Sequence, residues 1–446
     1  MSAEVTNTGF PKGVNTLFVF FFFNFVSCMI VMDSPIFLYA ESLGASATVM
    51  GLIAGLTPLM VVFQIPAADH VNQFGYKRFI TTGWAIRLVF VLPLIAVPLL
   101  DGRINPQSQL AIVIGALFCF NLVRGIASTG WFPWITGLIP ENVRGKYLTW
   151  ENASNNIGSL VSLLLTALYL GANPESHQFA VLFTFSLLVG MVSLWFINRV
   201  PDAPVSEENS EKKQPMPWGE ILKHKPFRRL LRISFTWAVV MGGLMAFVVK
   251  FLKGPGAMAD DRVLYASAVK FVGGLATLWF LHSRLDRLGS RSLMVLGIVM
   301  WALVFGVWAG MSGKRLPVQF EWICALSLVM GFAFCTFNMC LTKLAMATVP
   351  ERGKSHFFAL YSVVGSLAVG VFPILWGIVI DALVGVRVNW LGLEWNQFSI
   401  YFTALICVLL VLLVLVLQFR EEHAADLNEM LRDFIRHNPL RDWMRR

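Results

Sequence analysis

Apolar runs of about 20 residues, the length a helix needs to cross a bilayer, recur twelve times along this chain. They occupy residues 14–40, 46–68, 77–100, 108–138, 147–171, 178–199, 229–252, 262–284, 291–311, 318–347, 355–382 and 396–419. Lipid offers the backbone no hydrogen-bond partner, so segments of this kind must be helices rather than open strands. The first run, "FVFFFFNFVSCMIVM", continues for a full span with no small-residue cleavage site, and reads as an uncleaved first helix. The pattern predicts an all-α polytopic membrane protein of 12 transmembrane helices.

Polar segments divide the chain. "PDAPVSEENSEKKQPMPWGEILKHKPFRR" is proline-punctuated and separates the sixth run from the seventh, so residues 1–200 and 229–419 are expected to form two six-helix bundles joined by a cytoplasmic linker, 201–228. The basic end of the linker sets Trp218, Ile221 and Leu222 among Lys223, Lys225, Arg228 and Arg229; it lies either on the inner membrane surface or in solvent. In the tail, 420–446, Leu427, Met430, Leu431, Phe434 and Ile435 share one helical face, which predicts an amphipathic helix along the cytoplasmic surface ahead of a partner-binding helix.

Composition agrees: 57% of residues are hydrophobic, 14% charged, and the mean hydropathy is +0.67. The net charge of +9 would suit a polyanion. Most of the 35 Lys and Arg residues, however, fall in the segments that become cytoplasmic if the N-terminus is inside. The positive-inside rule then accounts for the basicity without nucleic acid and puts both termini in the cytoplasm of a cell, plasma or inner, membrane. Cys28, Cys119, Cys324, Cys335, Cys340 and Cys407 all fall in or beside apolar runs and read as small core residues, not disulfides or metal ligands; no cofactor is expected.

Two phrases repeat. "IPENVRGKYL" from Ile139 returns as "VPERGKSHFF" from Val349, and "IGSL" at Ile157 returns as "VGSL" at Val364. Arg144 and Arg352 are 208 positions apart, Gly158 and Gly365 207, a constant offset that marks internal duplication. A second pair, "DHVNQFGYKRF" from Asp69 and "LDRLGSRSL" from Leu285, precedes the third and ninth runs. The latter, with Asp286, Arg287, Gly289 and Arg291, matches the Asp-Arg-x-Gly-x-Arg turn of the major facilitator superfamily. With the 6+6 layout, long linker and RGK turns, the chain resembles that superfamily over nearly its whole length. The first-half loop departs from the motif: aligned on Gly75, Asn72 occupies the usual carboxylate position and Asp69 lies three residues earlier.

The resemblance implies two pseudo-symmetric bundles around a midplane site, working by alternating access. It also implies a cytoplasmic latch. Arg144 and Lys146, and Arg352 and Lys354, sit at helix starts where the dipole already presents positive charge, so they call for carboxylates. In the family fold Asp286 would meet the Arg144 turn, and Asp69 or Asn72 the Arg352 turn. Headgroup anchoring of the RGK turns is the alternative.

Ionisable groups at membrane depth are costly and usually functional. Arg124 lies about 13 residues from the cytoplasmic end of the fourth run, roughly 20 Å at 1.5 Å per residue, with Asn121, Ser128 and Trp131 on its face. Asp33, two residues before Pro35, is the natural partner for a proton-coupling pair; otherwise it reaches the external interface and Arg124 meets backbone carbonyls. Glu151, Asn155, Gly158 and Ser162 form a stripe in which Glu151 would serve the RGK turn and Asn155 would line a cavity; Asn338 is the second-half hydrogen-bonding candidate. Trp131, Trp134, Trp237 and Phe337 would suit a sugar, nucleoside or amphiphile, and Arg124 an anion. Arg87 and Lys270 show no partner in sequence and are expected to make structural contacts, while Lys250 and Lys343 would snorkel. Gly51 with Gly55, and Gly273 with Thr277, are small-x-x-x-small pairs that let helices approach and slide, or simply pack tightly.

The reading is a monomeric secondary transporter of a small organic solute, proton-coupled, and not an enzyme. A non-transporting sensor of the same fold and a polytopic membrane enzyme are the rivals. An enzyme would need clustered Asp or His at one membrane face, whereas Asp260-Asp261 is one isolated acidic pair, and no Walker motif is present for ATP drive.

Overall fold

A computed structural model describes residues 13–140, 143–202, 223–281, 289–348 and 354–418. Within them lie 12 helices long and apolar enough to span a membrane: Asn15–Ser42, Ala47–Ala67, Tyr76–Leu99, Pro106–Leu138, Lys146–Leu170, Ser176–Ile197, Lys225–Lys253, Asp260–Phe280, Ser290–Ser312, Phe320–Met346, Leu360–Ala382 and Gln397–Leu417, spans one to twelve. They coincide with the twelve predicted runs to within a few residues. The amphipathic tail, most of the linker, Asp286, Arg287 and Arg352 lie outside the described residues.

Several spans are broken where the sequence forces it. Span one stops at Met32 and restarts at Ser34; Asp33 is extended (φ −125°, ψ −154°) and its carboxylate caps the new helix, with Pro35 in the first turn, where a missing N–H costs nothing. Span two carries Pro58 and tightens into a 3-10 turn at Met60–Phe63; span four does so at Ser128–Gly130. Span seven breaks at Gly243, whose φ of +73° is left-handed. One element was not anticipated: Val388–Trp390 and Leu393–Trp395 form an antiparallel hairpin before span twelve, Trp390 facing Leu393 across a turn in which Leu391 and Gly392 both have positive φ.

The duplication is visible in backbone geometry. Gly75 (φ +78°, ψ 144°) and Gly289 (φ +72°, ψ 138°), the glycines of the two repeated loops, adopt nearly the same conformation at the start of spans three and nine. A Cβ on Gly125 of span four would lie 2.4 Å from the Met60 carbonyl oxygen of span two, and one on Gly331 of span ten 1.8 Å from that of Lys270 in span eight. Corresponding helices therefore touch backbone to backbone. The breaks also correspond, "VMDS" in span one and "VMGG" in span seven, so the carboxylate of the first copy is a glycine in the second.

The chain packs as two compact units. The first comprises Met1–Gln214, Gly242–Ala268 and Ser366–Val384; the second comprises Pro215–Met241, Val269–Gly365 and Gly385–Arg446. In the first unit an aromatic core stacks Phe20 on Trp84 (5.2 Å between centroids) and sets Trp131 edge-on to Trp134 at 5.9 Å. Spans one and six exchange Ser27 and Ser186 hydroxyl bonds to each other's carbonyls at 2.7 and 2.8 Å, the polar adhesion that lipid favours. In the second unit Trp237 stacks on Phe337 at 4.0 Å, and Trp308 on Phe402 at 5.8 Å. The cysteines are reduced and only Cys28 and Cys340 are buried; Cys407 is exposed on span twelve, which corrects its expected place in a core.

Candidate functional site

The first unit carries a polar centre. Arg87 of span three is 2% exposed and donates to Asn24 Oδ1 of span one at 2.5 Å, with the rings of Trp84 and Phe120 5.1 and 5.5 Å from its guanidinium carbon. Arg124 of span four is half-buried and donates to the Thr57 carbonyl of span two at 3.4 Å. The Thr57 hydroxyl donates to Asn121 Oδ1 at 2.8 Å, so this one residue ties both polar groups of span four to span two. Phe120, whose ring lies beside the Arg87 guanidinium, is one helical turn before Arg124 on span four, and among the described residues neither arginine forms an ion pair with a carboxylate. On insertion scales a charged side chain at mid-helix costs about 2.5–3.5 kcal/mol, so two together need a purpose.

The expected Asp33–Arg124 pair is not made in this state. Asp33 Oδ1 accepts from the Ser34 amide at 2.7 Å and lies 2.8 Å from Ser34 Oγ, which is 2.9 Å from Ser267 Oγ of span eight. Arg124 instead meets a backbone carbonyl. Of its predicted face, Asn121 belongs to the centre, whereas the Ser128 hydroxyl donates to the Arg124 carbonyl within its own helix, and Trp131 packs in the aromatic core.

Other candidates are placed differently from expectation. Gly158 and Ser162 face span one, the Ser162 hydroxyl donating to Val26 O at 2.8 Å and Gly158 lying against the Phe22 carbonyl, because a small residue admits the neighbouring backbone. Asn155 in the same stripe keeps a buried Oδ1 with no partner, and Glu151 is half-buried one turn from Tyr147. Asn338 donates to Phe334 O in its own helix. Trp134 is fully buried with its indole on Pro201 O, and Trp237 and Phe337 are core, so with Trp131 all four proposed aromatic lining residues serve packing. Asp260 binds Lys253, and the amides of Asp260 and Asp261 bond to Ala172 O and Gly171 O, so the acidic pair is structural. Lys146 is exposed. Lys343 is half-buried, and Lys270 lies 4.8 Å from the Phe271 ring.

A second arrangement in the same unit joins the start of span two to the end of span eleven. A Cβ on Gly51 would be 2.1 Å from Pro373 O, one on Gly55 2.3 Å from Gly370 O, and one on Gly377 2.5 Å from Ala47 O, so spans two and eleven are in backbone contact for several turns. Polar bonds seal that end. Asp381 Oδ1 accepts from the Ala47 amide at 2.9 Å and Oδ2 from Thr48 at 2.8 Å, capping span two from another helix and meeting its positive dipole end. Lys250 does not snorkel, as the sequence had suggested; it binds Glu41 at 2.8 Å and Ala45 O at 2.6 Å. Asp381, Glu41, Thr57 and Asn24 carry no signal in the sequence pattern, because each acts through a neighbour on another span. Asp381→Ala is expected to leave two amides unbonded and weaken the closed end by about 1 kcal/mol, roughly fivefold, read as faster thiol labelling of a cysteine placed at Ala45, which is buried at this end.

A family model described as Major Facilitator Superfamily matches residues 16–278 and 259–444. No match is found among the curated proteins. Among solved structures the chain is similar to the nucleoside transporter NupG (12% identity, 92% of this chain and 100% of that one, TM-score 0.64). It is also similar to a D-xylose-proton symporter (14%, 92% and 98%, TM-score 0.69) and to the inward-open xylose transporter XylE from E. coli (14%, 94% and 97%, TM-score 0.62). At such identities the likeness is one of fold.

Proposed function

The chain belongs to the major facilitator superfamily, and on that footing we propose that it is a secondary active transporter moving a small organic solute across the cell membrane by alternating access, with both termini cytoplasmic. The observation that carries this reading is the close backbone approach of spans two and eleven at Gly51, Gly55 and Gly377, sealed by Asp381 and by the Lys250–Glu41 pair. A contact held largely by small-residue faces and a few polar bonds is one that can part and re-form. The solute then reaches the Arg124 centre from one side at a time.

Coupling is assigned to protons through Asp33. The Ser34 hydroxyl has a single proton and two neighbours within 3 Å, Asp33 Oδ1 and Ser267 Oγ. An ionised Asp33 accepts that proton and caps the second half of span one; protonation weakens the cap and frees the hydroxyl for span eight. Asp33→Asn in proteoliposomes is expected to keep solute counterflow and to lose uptake driven by a pH gradient. Gradient-driven uptake that survives in Asp33→Asn removes the proton role; absence of counterflow by the wild type for any solute removes transport.

The same reading makes the RGK turns a cytoplasmic latch, Asp286 with the Arg144 turn and Asp69 or Asn72 with the Arg352 turn. Asp286→Asn is then expected to raise the inward-open population, seen as increased cytoplasmic accessibility labelling; unchanged labelling leaves the turns as headgroup anchors.

A further inference from the structure

We propose that Arg124, with Arg87 as a buried positioning residue, forms the binding site for an oxyanion, so that the transported solute is a small organic acid carrying a carboxylate or a phosphate; this rests on the transport reading and names its substrate class. Each guanidinium offers five N–H donors in a planar fork. Arg87 spends one on Asn24, and its buried Nε has no partner; Arg124 spends one on Thr57 O at the long limit of a hydrogen bond, and its Nε is likewise buried without a partner. Arg87 lies against Phe120, one helical turn before Arg124 on span four, and among the described residues no carboxylate of the chain neutralises either fork. The carboxylate that span one could have supplied, Asp33, caps its own helix.

The rings of Trp84 and Phe120 hold Arg87 and partly offset its desolvation, but they carry no net charge, so the centre keeps its positive field. An incoming oxyanion supplies what is missing, both the countercharge and acceptors for the open N–H edges, and bidentate pairing with a guanidinium gives it orientation. Accessibility divides the labour. Arg124, half-buried, contacts the solute; Arg87, fully buried, is a positioning residue that sets the field and braces span one through Asn24.

The test is thermal denaturation of the purified full-length protein with succinate, benzoate, glycerol 3-phosphate and inorganic phosphate, and with neutral glucose and uridine. At least one anion is expected to raise the melting temperature, the neutral solutes not to, and Arg124→Gln to lower the apparent affinity for that anion at least tenfold. Arg124→Lys, which keeps the charge and loses the fork, is expected to weaken it less. It also serves as the reporter if Arg124→Gln fails to fold, where unchanged affinity counts against the site. Stabilisation by a neutral solute alone, by none of the four anions, or equally in wild type and Arg124→Gln overturns the proposal. Counterflow of the stabilising anion separates the two readings: binding without counterflow ends transport and keeps the site, whereas counterflow of a neutral solute in Arg124→Gln keeps transport and ends the site.

Discussion

Gly55→Leu is expected to stop turnover while leaving the protein folded and inserted. A single Cβ at this position would already sit 2.3 Å from Gly370 O and 3.3 Å from Gly370 C, far inside van der Waals contact, and the obstacle is backbone of span eleven, not a side chain that could swing away. Spans two and eleven would have to separate by more than the few tenths of an ångström a packed core tolerates. The Asp381 bonds to Ala47 and Thr48 could not then form at their present 2.9 and 2.8 Å. Because the substitution opposes only the arrangement in which these ends touch, it should trap the other one. Counterflow should fall by roughly 100-fold, the loss that about 2.7 kcal/mol against one half of the cycle produces, while a cysteine at buried Ala45 becomes permanently reactive. Gly115, where an added Cβ would meet nothing within 4 Å, is the control: Gly115→Leu should transport normally.

Arg124→Gln carries the second large effect. Hydrogen bonds to charged groups contribute about 1.5–3 kcal/mol each, so loss of a two-pronged contact predicts a fall in transport efficiency of roughly 100-fold or more, larger than for Asn121→Ala, whose amide reaches the centre only through the Thr57 hydroxyl. Initial-rate uptake at several solute concentrations separates the cases. Loss of the guanidinium should raise KM strongly, whereas a merely structural Arg124 would reduce the amount of folded transporter and leave KM unchanged.

Hydropathy alone located all twelve spans, since a bilayer imposes one length and one secondary structure on whatever crosses it. The repeated RGK and Gly-containing turns announced the duplication, and the matching positive φ of Gly75 and Gly289 shows why the glycines recur: both loops turn through a conformation costly for any side chain. The site was legible only in part. A helical wheel put Ser128 beside Arg124 but could not show that its hydroxyl bonds back to its own helix. Arg87 and Asn24, 63 positions apart, meet only through the packing of different spans, as do Asp381 and the start of span two. Trp237 and Phe337 have the chemistry of a ligand platform, yet they stack on each other, because an aromatic pair within a bundle satisfies itself.

Pulsed electron-electron resonance between spin labels at Ser42 and at Val384, exposed at the ends of spans one and eleven, in a cysteine-free background reconstituted in lipid, tests the central claim most directly. Two distance populations are expected, a short one matching the sealed end and a longer one, with Gly55→Leu showing the longer alone and a bound solute shifting the balance. A single short distance, unmoved by Gly55→Leu, by pH or by any transported solute, would contradict it.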